Sequence, residues 1–215
     1  MKLCLDGFYV PLPSLRVDVY RLIKEIDHIL VPGNAYGLTV APRCKGLPYG
    51  FNVFNGTSLP DADGTWRLDS GDADHELIHW PAELEISYVR EIAEMLGNYL
   101  GMPPPRARAS RIDASGNRQG IDMHADPHTP FRIHIALETS LDATWRFRSN
   151  GRHVRIHQPA DGIPVYVETA TTYHAVDVLS GRRTHLWYQW YQPLSTQARS
   201  RIGSHPAYMG HDLPW

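Results

Sequence analysis

The feature that most narrows the possible folds is a change of period at Pro103-Pro104-Pro105. Before it, the stretch Ala82 to Leu100 sets Leu84, Ile86, Val89, Ile92, Ala93, Leu96 and Leu100 on one face of a helix, which Gly101 and the prolines close. After it, the segments RARASRI, FRIHIALE, TWRFR, HVRIH, IPVYVET and THLWYQWY alternate apolar and polar side chains, as half-buried strands do. Asn150-Gly151 between TWRFR and HVRIH predicts a tight hairpin, with a meander of antiparallel strands to follow. The second half of the chain therefore reads as β. An earlier amphipathic helix is expected over Leu15 to Leu30, with Val17, Tyr20, Leu22, Ile23, Ile26 and Ile29 near helical spacing, and short strands and loops from about Ala35 to Gly71. The tail after Gln192 is weakly patterned.

At 215 residues and 42% hydrophobic content, one domain is expected over 1–215, with a β core at about 105–192 and a helical and mixed part at 1–104. Twenty-one basic against twenty-three acidic side chains give a formal charge of -2, so nothing global attracts nucleic acid or an anionic membrane. The arginines at 106, 108, 111 and 118, and at 146, 148, 152 and 155, read as solvent-facing strand residues; recognition of an acidic substrate is the sharper alternative. No apolar run is long enough to span a bilayer. Cys4 and Cys44 form no paired motif and the first residues lack a secretory pattern, so a reducing cytoplasm is the expected location.

Chemistry concentrates in GIDMHADPHTPFRIHIALE. His124 and Asp126, two apart, share one face of an extended strand and can share one metal ion. A third ligand from a distant strand would complete two imidazoles and one carboxylate, the set that leaves positions open for cosubstrate and O₂. His174, expected to end the strand IPVYVETATTY, fits. Nine residues later Arg183 opens the strand THLWYQWY. A guanidinium there can take the distal carboxylate of a 2-oxoacid whose other end chelates the metal. On a regular strand Arg182 and Arg183 face opposite ways, so only one enters the interior. A salt-bridged edge residue is the plain alternative for Arg183, and a structural pair on a central strand the plain alternative for Arg132 and His134.

Together these residues resemble the aspartyl/asparaginyl β-hydroxylase-like branch of the Fe(II)/2-oxoglutarate-dependent dioxygenases, which includes bacterial free-proline hydroxylases. The likeness covers roughly Arg106 to Tyr191 and rests on the order His124-x-Asp126, Arg132-x-His134, His174 and Arg183-x-His185. It implies a mainly β fold with flanking helices, a double-stranded β-helix (jelly roll, cupin-like). It implies Fe(II) on His124, Asp126 and His174, with 2-oxoglutarate as cosubstrate and O₂ as oxidant. It also implies that Arg183 rather than Arg182 holds the distal carboxylate, and that Arg132 and His134 line the cosubstrate site. The expected activity is hydroxylation of an unactivated C–H in an amino acid, free or in a peptide or small natural product. Retention of Asp126 argues against halogenation, which needs that ligand position open. A non-catalytic cupin-like metal-binding or sensing protein is the competing class. His75 and His79, four apart, lack an evident third ligand and read as surface or lid residues, and His128 as a loop neighbour of the site.

Overall fold

The computed structural model describes residues 9–27, 87–114, 120–127, 129–149, 152–190 and 192–204. Its strands are β1 (Tyr9–Pro11), β2 (Arg106–Asp113), β3 (Gly120–His124), β4 (Phe131–Thr139), β5 (Thr144–Ser149), β6 (Arg152–Ile156), β7 (Val165–Glu168), β8 (Tyr173–Asp177) and β9 (Arg182–Trp190). Three helices accompany them, α1 (Val19–Ile26), α2 (Tyr88–Leu100) and α3 (Thr196–Gly203). The strands make two antiparallel sheets, one of order β1-β7-β4-β9-β2 and one of order β3-β8-β5-β6. The fold is a mainly β jelly roll with flanking helices.

Among the described strands only β5 and β6 are neighbours both in sequence and in a sheet, their ends at Ser149 and Arg152 lying opposite one another. The hairpin therefore forms, but the meander expected after it does not: β7 crosses to the larger sheet, β8 returns, and β9 crosses again. The cause is burial on both faces. The larger sheet must cover one face with helices and the other with the smaller sheet, and crossing between layers does both.

Side-chain parity sets the two faces. On β4, Phe131, Ile133 and Ile135 pack under Leu22 and Ile26 of α1 and Val89, Ile92 and Leu96 of α2, while Arg132 and His134 point between the sheets. On β9, Leu186, Tyr188 and Trp190 join the helical layer, and Arg183 and Trp187 enter the interior. Each fully buried leucine or isoleucine in that layer contributes about 1.5–3 kcal/mol of transfer free energy. A second apolar cluster, with Phe147, Val154, Ile156, Val167 and Val176, fills space between the sheets and borders the polar groups at Val176. The β interior thus has an apolar part and a polar part, and the polar part is where chemistry can occur.

The helices are shorter than their hydrophobic patterns suggest, because side chains cap them. Asp18 accepts from Arg21 N at 3.1 Å and starts α1 late, with Pro13–Leu15 forming a separate 3-10 turn. Tyr20, expected on its apolar face, is 67% exposed; Leu22 and Ile26 are the residues it buries. In α2, Ser87 accepts from Arg90 N, and the Glu25 carboxylate takes the N–H groups of Tyr88 and Val89 at 2.8 and 3.1 Å. Residues 28–30 and 82–86 of the two expected helices lie outside the described residues, as do the strands and loops expected at 35–71 and Cys4, Cys44, His75, His79 and His128. The weakly patterned tail contains α3, which buries only Ala198 and Ile202 and is anchored by Arg201 on the carbonyls of Asn98 and Tyr99. Among the described residues, no helix is long and apolar enough to cross a membrane.

Candidate metal and cosubstrate site

Strands β3 and β8 pair so that His124 stands directly opposite His174, their rings 4.4 Å apart between centroids. A register shift between Ile121 and His124 ends the regular ladder there. Asp126 therefore does not sit on the same strand, as its spacing suggested, but just beyond it. Its N–H donates to Thr169 O at 2.8 Å, and its carbonyl accepts from Thr129 N at 2.9 Å. This turn brings its carboxylate back to the two imidazoles: Oδ1 lies 3.8 Å from His124 Nε2 and Oδ2 lies 3.3 Å from His174 Nε2. One potential ligand atom from each of the three residues falls within 4.8 Å of the others.

His174 is the second residue of β8 rather than the end of the preceding strand. Glu168 is responsible: its carboxylate takes the N–H groups of Ala170 and Thr171 and the hydroxyls of Thr171 and Thr172, turning the chain between β7 and β8. The ring is then oriented by its own Nδ1, 3.0 Å from Thr172 O, and His124 Nδ1 stands 2.6 Å from Asp122 O. A carbonyl can only accept, so both rings carry their proton on Nδ1 and present the Nε2 lone pair toward Asp126. Lone pairs facing a carboxylate at this range repel unless a cation lies among them.

The charge state agrees with this donor set. Burial works against an ionised Asp126, but the Arg132 guanidinium beside it is the strongest opposing influence, and the carboxyl is held well below its usual range. Burial and the neighbouring His174 depress His124, which favours the neutral, ligating form. Asp126 Oδ2 is buried without a hydrogen bond of good geometry, although Arg132 Nη1 is 3.0 Å away. Two imidazoles and an ionised carboxylate with an unsatisfied oxygen fit a divalent transition metal such as Fe(II).

His124 and His174 line a pocket of about 330 Å³, the solvent-filled mouth included, together with Ser110, Arg132, His134, Trp145, Arg183 and Trp187, and Asp126 adjoins it. Arg183 is 3% exposed, with its guanidinium 4.7 Å over the Trp145 ring and Nη2 at 3.1 Å from His185 Nδ1. Desolvation lowers its pKa from 12.5 to about 9, and the sole group that raises it is Tyr9. Among the described residues no carboxylate compensates this cation. Arg182, in contrast, is exposed and pairs with Asp113 and Glu138. The geometry places Arg183 inside and Arg182 outside.

His134 is buried between Trp145, edge-on at 4.8 Å, and Trp187, stacked at 5.7 Å, and neither ring nitrogen has a hydrogen-bond partner. Burial and the adjacent Arg132 and Arg183 keep it neutral, far below its usual pKa. The six residues expected from the sequence thus all line or directly adjoin one cavity. Ser110, Trp145 and Trp187 were not singled out for it; the inward parity of RARASRI, TWRFR and THLWYQWY was the available signal. Trp187, Tyr188 and Trp190 do split between interior and helical layer as alternation requires. The expectation of solvent-facing arginines fails at Arg108, which is buried, whereas Arg146 is partly exposed and pairs with Asp177 at 2.8 Å.

No protein-family model matches the chain, and no curated protein matches it. Solved structures with similarity include an oxidoreductase of the 2OG-Fe(II) oxygenase family from Burkholderia pseudomallei, at 22% identity and TM-score 0.40, covering 58% of this chain and 65% of that one. A prolyl-4-hydroxylase from Pseudomonas putida aligns at 12% identity and TM-score 0.36, over 47% and 60% of the two chains. AviO1 from Streptomyces viridochromogenes aligns at 13% identity and TM-score 0.46, over 89% and 95%. The first two alignments span less than two thirds of those proteins. At such identities no residue assignment transfers, and the site is read from its own geometry.

Proposed function

We propose that this protein is an Fe(II)- and 2-oxoglutarate-dependent oxygenase of the aspartyl/asparaginyl β-hydroxylase-like branch. Its acceptor is an amino acid, free or within a peptide or small natural product. The observation that carries the reading is a two-histidine, one-carboxylate cluster beside a cavity that is also lined by a buried guanidinium lacking a counter-charge among the described residues. A dicarboxylate that chelates a metal at one end and needs a cation at the other suits both features.

His124, Asp126 and His174 would hold the metal, with the carbonyls of Asp122 and Thr172 fixing the imidazole tautomers. When bound, the Fe(II)–2-oxoglutarate pair couples O₂ activation to decarboxylation of the 2-oxoacid to succinate and CO₂, and supplies the oxidant that hydroxylates C–H. The protein's own part is placement. Arg183 takes the distal carboxylate, Arg132 braces Asp126, and the free nitrogens of His134 offer a hydrogen bond to the cosubstrate. Trp145 and Trp187 wall the cavity against water, which protects the reacting centre from side reactions.

Anaerobic addition of Fe(II) and 2-oxoglutarate should produce a weak visible charge-transfer band, and O₂ with a screened amino-acid substrate should release succinate. His174→Ala should abolish iron binding and the band together. A protein that binds iron but gives no band is a cupin-like binding or sensing protein instead, and unchanged metal affinity in His174→Ala would refute the metal assignment.

A further inference from the structure

We infer that His185 is a positioning residue that holds the Arg183 guanidinium in place without neutralising it, so that the ligand must supply the counter-charge. This rests on the reading of Arg183 as the site of the distal carboxylate of 2-oxoglutarate. Arg183 and His185 are two apart on β9 and therefore share its inner face. His185 is 1% exposed, and its Nδ1 lies 3.1 Å from Arg183 Nη2. A guanidinium has donors only, so Nδ1 accepts and the ring's single proton is on Nε2.

The choice of acceptor matters. A buried arginine is most often satisfied by a carboxylate, which here would convert the cation into an internal ion pair and leave nothing for a ligand anion to gain. An imidazole nitrogen orients the same N–H while adding no charge. On its other side the guanidinium meets the face of Trp145, again an oriented but neutral contact. Burial, together with Arg183, His134 and His157, disfavours a second proton on His185, so the acceptor persists at neutral pH. The cation is held by a neutral cage, and its affinity is reserved for what enters the cavity.

Three variants separate orientation from charge, each read in Fe(II)-loaded protein by anaerobic titration of the 2-oxoglutarate charge-transfer band, beside an independent iron titration. His185→Leu, which removes the acceptor, should weaken 2-oxoglutarate binding by about tenfold. His185→Asn, whose Oδ1 replaces Nδ1, should stay within about threefold of the parent protein. His185→Asp should weaken it by about 100-fold by occupying Arg183 internally. Iron affinity should be unchanged in all three. Asparagine as poor as leucine, or aspartate as good as histidine, overturns the inference; where the leucine variant does not fold, the asparagine and aspartate pair decides. Imidazole ¹⁵N spectra of the ligand-free protein should show His185 bare at Nδ1 and protonated at Nε2, and a proton on Nδ1 refutes the contact. If the parent protein gives no band, the cosubstrate reading fails. The His185 inference is then decided by those spectra and by whether glutarate quenches tryptophan fluorescence in the parent but not in His185→Asp.

Discussion

Replacing Arg183 by methionine should make the ligand-free protein more stable while removing its cosubstrate site. A displacement of the guanidinium pKa from 12.5 to about 9 corresponds to about 5 kcal/mol of unfavourable burial. Against this stand the hydrogen bond to His185, about 1.5–3 kcal/mol for a charged donor, and the Trp145 contact, about 1–2 kcal/mol when desolvated. Methionine keeps much of the volume without the charge and loses both contacts. The net expectation is a gain of about 1 kcal/mol in the absence of ligand, read from urea unfolding midpoints. Addition of Fe(II) and 2-oxoglutarate should reverse the order. At one hundred times its dissociation constant a ligand stabilises the parent by about 2.7 kcal/mol, and the variant should gain only what iron alone provides. A variant less stable than the parent without ligand, with iron and 2-oxoglutarate affinity lost in equal measure, would show that Arg183 is a structural residue and would refute the reasoning.

The buried imidazoles make stability depend on pH. His134 and His185 have folded pKa values well below 6.5, so the unfolded chain takes up their protons first; stability should be full above about pH 6.5 and fall by about 1.4 kcal/mol per pH unit for each histidine below it. Urea midpoints at pH 7.5 and 5.5 measure this, and an unchanged midpoint would mean that the rings are not buried neutral. At Gly120 an added Cβ would lie 1.9 Å from Val176 O, within the β3–β8 pairing that aligns His124 with His174. Gly120→Ala should cost about 2–3 kcal/mol and weaken iron binding as well. Parent-like values in both unfolding and iron titrations would contradict the register.

How much of this was legible in the chain depends on the range of the interaction that decides each feature. Alternation is a local property, and it placed β2, β4, β5, β6 and β9, but not which side of each faces inward, as buried Arg108 on β2 shows. The partner of each strand is not local: nothing in IPVYVETATTY marks that β7 joins the sheet of β4 while β8 joins that of β3. The break between them depends on Glu168 folding onto Ala170, Thr171 and Thr172, a set of hydrogen bonds that reads in sequence as an uninterrupted threonine-rich strand. For the same reason the spacing of His124 and Asp126 pointed to two residues that the structure does bring together, but by a different geometry. A shared strand face would have aimed both side chains alike, whereas the structure ends β3 at His124 and returns Asp126 through Thr169 and Thr129. That difference bears on the chemistry, since Asp126 held by a turn is positioned independently of His124, and Arg132 on β4 braces it from the opposite sheet. The candidate metal site therefore spans both layers of the jelly roll. Its integrity depends on how the two sheets pack, which no single segment of the chain encodes.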